Sequence, residues 1–147
     1  MAQQHDACTL LDEDHTLVMR LFEQYKASHD GARQKLLGRQ ICHELLVHTQ
    51  IEEEIFYPAF GLATGDTGLV QEAKREHQQA SELIAKVEED PADSKLMLDL
   101  EEAVLHHVTE EREKMFPKAR KTPALNLMQL ARELETRKSE LLAGYPA

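Results

Sequence analysis

Tryptophan is absent from this 147-residue chain, and aromatic residues make up 5% of it. Cysteine occurs twice, at Cys8 and Cys42. That separation matches no zinc or redox spacing and makes no disulfide framework, so both are expected to be reduced, structural thiols. No run of about 18 apolar residues occurs, which argues against a membrane span. Residues 1–6 carry neither a basic cluster nor an apolar stretch, so no secretory leader is read there and the expected setting is the cytoplasm. Positive charge is scarce too: 17 Lys and Arg stand against 27 Asp and Glu, a formal charge of −10. Such a surface repels phosphate backbones and anionic lipid, which excludes nucleic acid and membranes as expected partners.

Leu, Ala, Glu, Lys, Gln and Arg outnumber the β-branched residues, a composition that favours helix. Gly, Pro, Asp and Ser gather at Ser28–Gly31, Gly61–Asp66, Glu89–Asp93 and Thr122–Pro123, and these are the expected breaks. The stretches between them predict helices near 9–28, 32–60, 66–88, 92–120 and 124–142. Asp90-Pro91 reads as an N-cap followed by proline at the first helical position. Pro58 and Pro117 fall near helix ends, where either can kink or close the last turn. The whole chain, 1–147, is read as one domain of an all-α class. An antiparallel up-down four-helix bundle spans about 9–120, and a shorter amphipathic helix lies on it at about 124–142.

Each bundle helix has an apolar seam in steps of three and four. The seams run through Leu11, His15, Val18 and Phe22; Ile41, Leu45, His48, Glu52, Ile55 and Ala59; Ala73, His77, Ala80 and Ile84; and Leu100, Val104, His107, Glu111 and Met115. Apart from Tyr25, their polar members are His15, His48, Glu52, His77, His107 and Glu111. An internal repeat underlies this. His48-Thr49-Gln50-Ile51-Glu52 with Phe56-Tyr57-Pro58 aligns without a gap to His107-Val108-Thr109-Glu110-Glu111 with Met115-Phe116-Pro117. A helix with a single seam histidine precedes each copy.

Burying an ionised carboxylate or an unpaired imidazole costs several kcal/mol, so six such groups in apolar seams need a common partner. A metal ion accepts imidazole nitrogen and carboxylate oxygen alike. Residues i and i+4 share a helix face, so His48 and Glu52 can reach one site, as can His107 and Glu111. His15 and His77 lie near the middle of the other two helices. Four histidines and two glutamates exceed what one tetrahedral zinc accepts. If each glutamate spans two ions and each ion keeps two histidines, an oxo or hydroxo bridge makes five contacts per ion. About one octahedral position on each then stays open. Such a mixed N/O set suits iron best, with manganese or zinc as substitutes.

The ordered pattern of His, His-x3-Glu, His, His-x3-Glu, with the aromatic-Pro ending, resembles the hemerythrin-like HHE cation-binding family over about residues 8–120. The resemblance implies a non-haem di-iron centre with Glu52 and Glu111 bridging and the four histidines terminal. Oxygen-carrying hemerythrins have a further histidine in the third helix, where this chain has Ala73 and Ser81, and end the last motif in Asp, where it has Glu111. Reversible oxygen carriage is therefore not carried over. The ligand set is closer to di-iron proteins of iron-sulfur cluster repair, although the cysteine-bearing N-terminal domain of those proteins has no counterpart here. Binding of, or reaction with, oxygen, nitric oxide or peroxide is the leading expectation, with turnover left open. An iron sensor or iron donor acting on a protein partner is the alternative. A bundle in which the histidines bond the glutamates without metal is the third reading.

Outside the six, His5, His29, His43 and His106 are expected to be solvated, with His106 beside a ligand and placed to pass protons. Glu53 and Glu110 read as surface charges, and Glu44 as a candidate hydrogen-bond partner of His48. Tyr25, Phe56, Tyr57 and Phe116 read as hydrophobic closure.

Overall fold

The computed structural model describes residues 5–144, which are all-helical with short connections and no strand. Residues 1–4 and 145–147 lie outside the described residues, and with them most of the segment read for a leader. Helix α1 is Ala7–Ala27. Helix α2 starts as Gly31–Ile51, passes through a π-helical turn at Glu52–Phe56, and continues as Tyr57–Thr64. Helix α3 is Thr67–Glu89. Helix α4 starts as Ser94–Glu110, has its own π turn at Glu111–Met115, and ends as Phe116–Arg120. Helix α5 is Leu127–Gly144.

Each bundle helix starts at an aspartate whose carboxylate accepts backbone N–H groups of the first turn. Asp6 takes Thr9, Asp30 takes Ala32, Asp66 takes Leu69, and Asp93 takes Lys95 and Leu96, at 2.8–3.1 Å. Asp90-Pro91 is therefore not the start of α4. Asp90 caps the end of α3, Pro91 lies in the turn, and Asp93 takes the N-cap role because it can reach two orphan donors at once. The expected break at Gly61–Asp66 narrows to its last two residues. Gly65, at φ +73°, ends α2 in the left-handed region that suits glycine.

The short connections make consecutive helices antiparallel, and α5 packs across α1 and α2. Two apolar clusters fill the bundle. One is built around Leu10, Leu11, Phe56, Phe60, Phe116 and Leu134, the other around Val18, Phe22, Ile41, Ile84, Met97 and Leu100. Between them lies the polar layer. Among the described residues no helix is long and apolar enough to cross a membrane.

The π turns change which side chains face inward. The Tyr57 N–H bonds the Glu52 carbonyl five residues back, and Phe116 does the same to Glu111. An i→i+5 bond inserts one residue into the turn and rotates the following segment. The 3.6-residue seam expected Ile55 and Ala59 to face the core. Both are half-buried, whereas Phe56, Tyr57 and Phe60 are fully buried. Pro58 and Pro117 come directly after and cannot donate to the preceding turns. Both repeat copies carry this device.

Candidate metal centre

All six seam groups are buried, with Glu52 and Glu111 at 0% and 1% exposure, and their ligand-type atoms meet at one level. His15, His48, Glu52 and Glu111 offer one set of atoms within 4.8 Å of one another, and Glu52, His77 and His107 offer a second. His15 Nε2 stands 3.0 Å from Glu111 Oε1, and His48 Nε2 stands 3.2 Å from Glu52 Oε1. His77 Nε2 is 3.1 Å from Glu52 Oε1, and His107 Nε2 is 3.3 Å from Glu111 Oε1. Donor atoms at about 2.1 Å from one octahedral ion stand roughly 3 Å apart, so these separations suit shared coordination.

The outer nitrogens explain why the inner ones point at each other. Each Nδ1 meets a carboxylate: His15 meets Asp12 at 3.0 Å, His48 meets Asp14 at 3.0 Å, His77 meets Glu53 at 2.7 Å, and His107 meets Glu76 at 2.7 Å. An ionised carboxylate only accepts, so each Nδ1 carries the proton. In a neutral imidazole that leaves a bare lone pair on Nε2. His15 Nε2, His48 Nε2, Glu52 Oε2 and Glu111 Oε1 are buried and have no hydrogen-bond partner. Buried acceptors without donors are costly. A cation relieves all of them together, and that fit makes the layer a metal-binding one.

The structure brings together the six groups read from the seams, whereas most of what orients them was not read from the sequence. Asp14 and Glu76 are buried at 6% and 4% exposure, so the polar layer holds more than the seam showed. They are equivalent in the internal repeat, each preceding the lone histidine of its hairpin, yet each serves the histidine of the next helix. Glu53 is exposed, as expected of a surface charge, with its side chain at 41%, and it also orients His77. Glu44 is not among the four carboxylates that meet an Nδ1. Asp12, three residues before His15, was legible as an i,i+3 pair. His5, His29 and His106 are exposed, but His43 is half-buried rather than solvated. Cys8 and Cys42 are buried free thiols, each pushed up to about 12, first by burial. That matches the structural role expected of them.

Tyr57 is the largest correction. Its hydroxyl lies 3.2 Å from Glu52 Oε1, 2.9 Å from Glu111 Oε2, 3.1 Å from His77 Nε2 and 3.3 Å from His107 Nε2. It stands inside the polar layer, brought there by the π turn, and does more than close the core. Phe116, its repeat equivalent, stacks on His15 with ring centroids 6.0 Å apart and offers no donor atom. Burial, then the charges of Glu111 and Glu52, push the Tyr57 hydroxyl well above its ordinary range, so without metal it is a neutral donor. Tyr57→Phe is therefore expected to destabilise the metal-free protein by about 1–3 kcal/mol, the cost of leaving a buried carboxylate oxygen without its donor. Urea unfolding of the metal-free pair measures this, and equal midpoints would show the hydroxyl to be idle.

The layer is electrostatically built for positive charge. Burial pushes His48 down, but Glu52 and Asp14 outweigh it and raise the imidazole to about 10. His107 rises well above its usual value against burial because of Glu111, Glu52 and Glu76. Glu52 is held well below the usual carboxylate range despite burial, chiefly by His48 and its other bonded neighbours. Without metal, protons carry the charge that a cation would carry.

The profile of the hemerythrin HHE cation binding domain matches residues 6–119. Among solved structures, a hemerythrin HHE cation binding domain-containing protein from Mycobacterium kansasii superposes with a TM-score of 0.76 at 21% identity, over 94% of this chain and 88% of that one. At that identity the likeness speaks for the fold. No curated protein matches.

Proposed function

The chain belongs to the hemerythrin HHE cation-binding family, and from that membership we propose a protein that holds two non-haem iron ions and binds or reacts with oxygen, nitric oxide or peroxide. The observation that carries this is the convergence of four Nε2 atoms and two carboxylates, with His15 Nε2, His48 Nε2, Glu52 Oε2 and Glu111 Oε1 left without a hydrogen-bond partner. His15 and His48 would hold one ion and His77 and His107 the other, with Glu52 and Glu111 shared. Bound iron would supply redox change and open positions for a small ligand.

The chain's own residues set the rest. Asp12, Asp14, Glu53 and Glu76 fix the four rings with Nε2 inward. Losing an outer partner of this kind typically weakens metal binding by about 10–100-fold. Tyr57 adds an oxygen donor on the His77/His107 side, while Phe116 adds none beside His15. A small ligand would therefore meet less competition from the chain's own donors on the His15/His48 side. The apolar clusters above and below the layer keep bulk water out and admit a small, weakly polar molecule. Turnover needs a proton carrier, and the Tyr57 hydroxyl, between Glu52 and Glu111, is the group in place for one.

Anaerobic reconstitution with ferrous iron, a metal count, and visible spectra before and after each gas and peroxide test the reading. Two irons per chain with a spectral response to at least one ligand is the expected result. Two irons with a spectrum indifferent to all three would remove the small-ligand role.

The second reading, an iron sensor or donor, draws on helix α5. Lys138 Nζ of α5 lies 2.6 Å from Asp14 Oδ1, and Asp14 in turn holds His48. Loss of metal at His48 would thereby reach a helix at the protein surface and its contacts with a partner. Iron transfer to an acceptor separates donor from sensor.

A further inference from the structure

The two ends of the polar layer are closed differently. On the α1/α2 side, Asp14 is covered by α5 and paired with Lys138, and Asp12 pairs with Arg112 at 2.6 Å. The repeat equivalent of Asp14 on the α3/α4 side is Glu76, and among the described residues no helix packs across that side as α5 does across α1 and α2. Glu76 makes no lysine or arginine ion pair among the described residues. Its Oε1 meets His107 Nδ1 at 2.7 Å, and its Oε2 turns outward to His106 Nε2 at 3.0 Å. In the repeat, the place of His106 is taken by Val47, so this histidine is particular to the α3/α4 side.

Glu76, His106 and Glu110 bring one ligand-type atom each within 4.8 Å. Glu76 is 4% exposed, and its Oε2 is buried without an aligned hydrogen-bond donor although His106 stands so close. His106 Nε2 is also 3.9 Å from Glu110 Oε1. Two oxygens and a nitrogen thus face one point, one of them an orphaned buried carboxylate oxygen. Glu110 turns its other oxygen to Lys114 at 3.0 Å, a surface pair between half-buried and exposed groups that contributes little and gives way easily. Beside this cluster a crevice of about 10 Å³ runs between α3 and α4, lined by Glu76 and Glu110 and, deeper, by His107 and Glu111. That is roughly the space of one water.

We propose that Glu76, His106 and Glu110 form an outer station for a divalent transition-metal cation on its way to the buried centre. The donor types, two carboxylates and an imidazole, suit ferrous iron, manganese, cobalt or zinc. Glu76 joins the two places: one oxygen takes the arriving cation, and the other holds the imidazole that receives it. On the uncovered side the carboxylates of Glu72, Glu76 and Glu110 outnumber the paired Arg75 and Lys114 and favour a cation, whereas on the other side Asp12 and Asp14 are already paired with Arg112 and Lys138. The inference rests on the reading of the inner layer as a metal centre.

Cobalt(II) titration of the metal-free protein, with crystals soaked in cobalt and read by anomalous scattering, tests it. The wild type is expected to take two tight equivalents and a third, weaker one, with a peak between Glu76 and His106. The exposed double substitution His106→Gln/Glu110→Gln should lose the third equivalent and keep the first two. Stopped-flow ferrous loading of that variant should slow about 10-fold, the low end of what focused charge supplies, with final occupancy unchanged. A third equivalent that persists in the variant, its absence from the wild type at millimolar cobalt, or unaltered loading would overturn the station. Failure to hold the first two equivalents would fault the inner centre instead, and the soaked crystal would still decide the outer one.

Discussion

Glu52→Gln is expected to cost the protein both metal ions, although the side chain keeps its shape. Glu52 is the one residue common to both inner donor sets among the described residues, within 3.2 Å of His48 Nε2 and 3.1 Å of His77 Nε2. It is fully buried, so no water can replace it. An amide offers a weaker oxygen, no charge, and two hydrogens that would point at lone pairs or a cation. Losing an orienting partner already weakens binding by about 10–100-fold, so losing a shared ligand should lower affinity at each position by at least about 100-fold. Metal counted after dialysis against a mild chelator reads this. Asp14→Asn should stand between the variant and the wild type, because it disorients His48 alone. Two ions retained by the Glu52 variant would mean that the layer holds metal in some other way.

Stripping the metal should lower the melting temperature by roughly 15–30 °C. An ion present at 1,000 times its dissociation constant stabilises by about 4 kcal/mol. Two ions give about 8 kcal/mol, and a domain of this size shifts by roughly 2–4 °C for each. The size of the drop should depend on pH in a defined direction. In the metal-free protein His48 is raised to about 10, against burial, by Glu52 and Asp14. A histidine raised on folding contributes stability that is full below its unfolded value near 6.5 and is lost as pH climbs to about 10. Glu52, lowered on folding, contributes above its unfolded value, and that part is lost in acid. The metal-free form should thus be most stable near pH 5–6.5 and weaken through pH 7 to 10. Metal binding displaces the same protons and strengthens over that range. The gap between loaded and stripped melting temperatures should widen from pH 6 to pH 9. A gap that is flat or narrows would mean that the imidazoles are not the groups the metal competes for. Coincident melting curves would remove the sensor reading as well.

The order of helices, the repeat and the six inner groups were legible because they rest on relations within one helix. His48 with Glu52 and His107 with Glu111 are four residues apart, and that spacing fixes a shared face without knowledge of any neighbour. The same rule placed Met115 correctly after Glu111 but misplaced Ile55 and Ala59 after Glu52. A π turn changes the period from within, and nothing in a 3.6-residue count announces the extra residue that carries Tyr57 inward.

The chain by itself determined that four apolar stripes would each carry imidazole or carboxylate at mid-length, and that burying them called for shared positive charge, which protons or a metal can supply. Packing alone decided which acid orients which ring. Asp14 adjoins His15 yet holds His48, and Glu76 adjoins His77 yet holds His107. Neighbouring residues on a helix point about 100° apart, so a residue beside a ligand naturally faces the adjoining helix, and which helix that is depends on the assembled bundle. Whether a side of the layer is sealed by Lys138 or left open at His106 likewise depended on where α5 came to rest.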